Sequence, residues 1–111
     1  MIVSPALMMM LLAAQGGDPV GVARQGYAKC LGTYMSEALD KKITVEEFKS
    51  TLQPKCAEKE TAFRDAVKTA DRSYGMSDKE ATQDAADQVK DYLDNFATDY
   101  ADYLQSGAKP G

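Results

Sequence analysis

Residues 44–74 read TVEEFKSTLQPKCAEKETAFRDAVKTADRSY, and this stretch decides the fold. Phe48, Leu52, Cys56, Phe63, Val67, Ala70 and Tyr74 recur at helical spacing. At about 100° per residue, all seven fall within an arc of about 100°. The arc continues across Pro54. Proline normally ends a helix, because it lacks an amide donor and its ring collides with the preceding turn, yet the pattern passes it in phase. The spacing therefore predicts one kinked helix from about Val45 to Tyr74, with a short break near Gln53 as the alternative. Thr44 and Glu47 form a capping box that opens it, and Gly75 can supply the left-handed cap that stops it.

Two further stripes flank this one, and nothing alternates like a strand. The first runs from about Pro19 to Leu39 through Val20, Ala23, Tyr27, Leu31, Tyr34, Met35 and Ala38, with Cys30 at its edge. Asp18 reads as its N-cap and Pro19 as its first helical residue. Gly21 and Gly32 weaken it, and Asp40-Lys41-Lys42 marks its end. Ser77-Asp78-Lys79-Glu80 is a second capping box, with Met76 and Ala81 placed as a hydrophobic staple. The third stripe then runs to about Leu104 through Ala85, Val89, Tyr92, Leu93, Phe96, Tyr100 and Tyr103. Short turns make neighbouring helices antiparallel. The expected fold is all-α: an up-down-up three-helix bundle over residues 18–105, its second helix kinked or broken near Pro54, followed by a disordered tail at 106–111.

The two cysteines provide a check. Cys30 lies nine residues before Leu39 and Cys56 eleven residues after Val45, so at a rise of ~1.5 Å per residue both stand some 14–17 Å from the same turn. An antiparallel hairpin brings them to one height, which an intramolecular Cys30–Cys56 disulfide requires. Such a bridge belongs to an oxidising compartment.

The first seventeen residues, MIVSPALMMMLLAAQGG, carry no charged side chain, and Ala6 to Ala14 is wholly apolar. That run is too short for a bilayer span, which takes ~20 residues, but it matches the core of a secretory signal. Ala14-Gln15-Gly16 has the small-x-small pattern of a cleavage site. The leader lacks the Lys or Arg usual before its apolar core, and no cysteine follows that would take a lipid. Residues 1–17 are therefore expected to be a cleaved signal peptide, sending the chain to the periplasm or outside the cell without a stable membrane anchor.

Composition excludes several chemistries. Among 111 residues there is no histidine and no tryptophan, so no Ser-His-Asp or Cys-His pair and no histidine metal site can form. The net charge of -4 argues against a nucleic-acid partner. Residues 40–48 resemble the second half of an EF-hand calcium loop whose first position would be Ser36, but only Asp40 and Glu47 stand at ligand positions, and Lys41 occupies the place of the turn glycine. Glu80, Asp84, Asp87, Asp91 and Asp94 form an acidic ridge on the third helix, read as a solvated face that should titrate normally. Tyr27, Tyr34, Tyr92, Tyr100 and Tyr103 lie on the apolar stripes and read as core rims with hydroxyls reaching water.

These features point to an exported binding module, without catalytic chemistry or cofactor and with an unidentified protein partner. It is similar in outline to bacterial periplasmic stress chaperones and inhibitor proteins, a likeness of size and fold class that covers no motif. The second and third helices should overhang the first by roughly 14 Å, a tip lined by alanines that include Ala66, Ala70, Ala81 and Ala85. These four are the candidate docking residues. The alternatives are a structural subunit that self-associates through this tip, as a weak homodimer rather than a monomer, and a small enzyme using carboxylates and tyrosines.

Overall fold

The computed structural model describes residues 18–107. The expected signal peptide and the last four residues of the expected tail lie outside the described residues. The described chain is all-helical, and four helices rather than three occupy it: α1 (Pro19–Lys41), α2 (Val45–Lys55), α3 (Ala57–Ser73) and α4 (Asp78–Ser106). The kinked second helix of the sequence pattern is thus two helices. The break falls at Cys56, two residues beyond Pro54, where φ is -116° and ψ 30°. The Cys56 amide falls back on the Gln53 carbonyl at 3.2 Å. Cys56 leaves the helical path at the residue that carries the bridge to Cys30.

Side chains terminate these helices as the capping patterns require. Asp18 accepts from the Val20 amide at 3.2 Å and Thr44 from the Glu47 amide at 3.1 Å. Ser77 accepts from the Glu80 amide at 3.1 Å and returns its own hydroxyl to the Glu80 carboxylate at 3.0 Å. Two Schellman turns close α1 and α3. After α3, Gly75 adopts φ 97°, and Met76 donates to Asp71 across the turn at 3.1 Å. After α1 the same turn is made by Lys42 at φ 53°, with Ile43 donating to Ala38 at 3.3 Å. The last helix reaches Ser106 and ends on Gly107 at φ 75°, so Ser106 is helical rather than part of a tail.

Ring contacts fix the directions. One layer stacks Tyr27 on Phe63 at 5.7 Å, with Tyr92 edge-on to both at 5.7 and 5.6 Å. A second stacks Phe48 on Tyr100 at 4.0 Å and on Tyr34 at 5.7 Å. Between the layers α1 and α4 both advance in sequence while α2–α3 descends, so the consecutive pair α2–α3 runs against the other two. Leu31, Leu52, Val89 and Cys56 are buried with these rings.

Two expectations fail in the interior. Tyr27 and Tyr100 are 0 % exposed, so they are core residues rather than rims. The Tyr100 hydroxyl donates to Ile43 O at 2.6 Å and also reaches Ala38 O at 3.2 Å, the carbonyl that already accepts from the Ile43 amide, and so pins the turn after α1. Tyr27 donates to Glu60 at 3.4 Å. Burial first, then the Glu60 charge, holds its hydroxyl protonated well above the ordinary range. At the other end of the stripe, Tyr74 is 88 % exposed, because α3 runs past the start of α1. With 23 residues in α1 the overhang is about 9 Å, shorter than expected because α1 extends to Lys41.

Candidate functional site

The Cys30–Cys56 bridge joins α1 to the α2–α3 junction, with the Cα atoms 6.0 Å apart. That separation is what a disulfide spans. Beside it a groove of about 410 Å³ opens between the two walls. Gly26, Cys30, Thr33 and Tyr34 come from one face of α1, at steps of four, three and one, while Lys55 ends α2 and Lys59 stands in the first turn of α3. Lys29 completes a trio of lysines on the groove, and Glu37 is the one carboxylate in its lining.

Neighbours hold the walls in place. The Tyr34 ring stacks on Phe48, and its hydroxyl shares a short hydrogen bond with Thr51. The Lys55 ammonium lies 5.7 Å from the centre of that ring, within cation–π range. Lys59 passes over Gly26, its Cδ 3.8 Å from where a Cβ would stand. Among the described residues the ion pairs are Arg64–Glu60, Arg72–Asp78 and Lys90–Asp94. None of the three groove lysines takes part in one.

A second groove, of about 500 Å³, lies at the overhanging tip, where Val20 on α1 faces Ala66, Ala70 and the exposed Tyr74 on α3. This divides the four candidate alanines. Ala66 and Ala70 are partly exposed and line the groove. Ala81 and Ala85 are 0 % and 1 % exposed, closed inside the α3–α4 hairpin, where they cannot meet a partner.

The acidic ridge is not uniformly solvated either. Asp84 turns toward Asp71 across the hairpin. One Asp71 carboxylate oxygen is buried and has no hydrogen-bond partner among the described residues. The Asp71 pKa is raised, first by a hydrogen bond shared with Asp84, then by burial and by the Asp84 charge. Gln88 donates to Asp84 Oδ2 at 3.2 Å. Neither carboxyl lines either groove.

Reading the sequence missed the lysine groove, although a signal was present: Lys29 directly precedes Cys30, Lys55 directly precedes Cys56, and Lys59 follows one turn later. No group of three metal-ligating side chains gathers among the described residues, and none of their helices is long and apolar enough to cross a membrane. The sequence matches no protein-family model, no curated protein and no solved structure.

Proposed function

We propose that the chain is exported, loses residues 1–17, and works in the periplasm or outside the cell as a single-disulfide binding module. It holds a partner and performs no chemistry on it. One observation carries this reading: Cys30 belongs at once to the bridge and to the groove wall, so the staple that stabilises the fold also fixes the separation of the two lysine-bearing walls. A preorganised groove saves the ordering cost that a mobile one would incur on binding. The uncharged leader and the even pair of cysteines support the destination.

The test has two stages. The full precursor, produced in a bacterium, is recovered from the periplasm and weighed intact. The expected mass lacks the leader and two hydrogens. The oxidised mature protein is then immobilised and offered periplasmic extract beside a Lys29→Glu/Lys59→Glu variant. The reading predicts a component retained by the first and lost by the second. Free thiols in exported material, or identical retention by both proteins, would overturn it.

A second reading rests on the tip groove, where Ala66, Ala70 and Tyr74 present an apolar surface that would serve self-association. It predicts a dimer in sedimentation equilibrium that Ala70→Arg returns to monomer. The enzymatic alternative needs titratable groups converging on a cleft, and the Asp71–Asp84 pair faces neither groove.

A further inference from the structure

The lining of the stapled groove carries the reading further, to the class of ligand. We propose that the groove between α1 and the α2–α3 junction binds a small amphipathic organic anion, its charged head among Lys29, Lys55 and Lys59 and its apolar body along Cys30 and Tyr34. The inference rests on the binding-module reading and specifies its ligand.

Charge is the first ground. The protein carries seventeen acidic groups against thirteen basic ones, yet three lysines line one hollow, and among the described residues no carboxylate is in ion-pair contact with any of them. Glu37 at the groove lining leaves a local excess of positive charge on an acidic molecule. Three like charges held together repel one another, and an anion between them removes that repulsion.

Preorganisation is the second. The bridge holds the walls at a fixed spacing. The Tyr34 ring faces the Lys55 ammonium, and the Lys59 stem passes over Gly26. Lysine stems present apolar surface below a charged head, so a groove lined by Cys30, Tyr34 and three lysines offers both hydrocarbon and ammonium groups.

Size is the third. A volume of about 410 Å³ lies within the range of small-molecule sites, ~300–1,000 Å³. A polyanion such as nucleic acid needs a basic stripe much longer than this, and α4 presents Glu80, Asp87, Asp91 and Asp94 elsewhere on the surface. An extended acidic peptide would dock best on a free sheet edge, and the described chain is helical throughout.

The oxidised mature protein is titrated with anilinonaphthalene sulfonate and, separately, with N-phenylnaphthylamine, which has the same rings without the sulfonate. Amide shifts in nuclear magnetic resonance report where each dye sits. The sulfonate dye is expected to bind one per chain, moving Lys29, Cys30, Lys55 and Lys59. The Lys29→Gln/Lys55→Gln/Lys59→Gln variant should weaken it about tenfold and leave the neutral dye unchanged. All three side chains are exposed, and circular dichroism confirms that the variant is folded. Equal binding of both dyes by wild type, or an unaltered affinity of the variant for the sulfonate, overturns the proposal. Shifts confined to Ala66, Ala70 and Tyr74 also overturn it while leaving a binding module at the other groove. If neither dye binds and the extract experiment also shows no groove-dependent retention, the broader reading falls with it.

Discussion

Removing the bridge is the most direct test of the architecture. Cys30→Ala/Cys56→Ala releases a loop with a sequence separation of 26, and the chain-entropy relation gives about 3.5 kcal/mol for a loop of that length. Total stabilities of small domains are ~5–15 kcal/mol, so the loss is a large share. It corresponds to a fall in melting temperature of roughly 15–25 °C for a domain of this size. The bridge lies between the Tyr27–Phe63–Tyr92 and Tyr34–Phe48–Tyr100 layers, and Cys56 is 2 % exposed. Both layers should therefore loosen together, in one transition rather than two. Urea unfolding of oxidised wild type, reduced wild type and the double variant measures this. The unfolded chain without the bridge is more expanded, so the steepness of the denaturant dependence should also rise. A loss below about 1 kcal/mol, or two separate transitions, would refute the claim that the staple joins two rods of one core.

Other perturbations have equally definite outcomes. Tyr100→Phe removes the donor to the Ala38 and Ile43 carbonyls and should cost about 1–3 kcal/mol in equilibrium unfolding. Lys42→Gly relieves a left-handed backbone at φ 53° and should raise stability by about 1 kcal/mol. Ala85→Arg forces a charge into the closed hairpin, where Ala85 is 1 % exposed, and should cost about 3 kcal/mol or more; Ala70→Arg, at the open groove, should cost less than about 1 kcal/mol. The raised pKa of Asp71 means that the folded tip binds a proton more tightly than the unfolded chain. Its stabilising effect is complete below the ordinary carboxylate value and is lost as pH rises through the raised one. Hydrogen exchange of amides in residues 71–85 should therefore quicken as pH rises above the ordinary carboxylate range, once corrected for intrinsic rate. Asp71→Asn should flatten that profile, and an unchanged profile would refute the pairing.

Much of the fold can be read from local chemistry. Both capping boxes and Gly75 are short-range signals, and the caps form at Thr44, Ser77 and Gly75. The matched height of Cys30 and Cys56 needs only the helical rise and an antiparallel turn. The count of helices was less legible, because a one-residue departure at Cys56 leaves the phase of the stripe almost unchanged; periodicity reports which face is buried, not whether every amide is bonded. The turn at Lys42 was hidden for a different reason. A lysine has no left-handed preference of its own, and the packing of Ile43 against the core supports the conformation from outside the local sequence.

The site was hidden by reading each helix alone. Along α4, Asp84 belongs to a ridge that looks solvated. In the structure, however, the Phe63 and Tyr92 rings meet, and Asp71 lies eight residues after the first as Asp84 lies eight before the second. That register, set by packed rings rather than by distance from the turn, brings these carboxyls to one height. The lysines obey the same rule, since a residue beside a half-cystine shares the height of its bridge, and Lys29, Lys55 and Lys59 all lie within four residues of one. The two convergences differ in what surrounds them. The lysines border open space beside a covalent staple, where their repulsion can be relieved by a ligand from solvent. The carboxyls are half-buried between α3 and α4, one Asp71 oxygen fully so, beside alanines that contribute little burial, about 0.8 kcal/mol per methyl-sized group, and there the relief available to Asp71 is a proton. Opposite charges at two places in one bundle thus have different consequences: the stapled middle can gain affinity from its lysines, while the thin tip loses stability from its carboxyls.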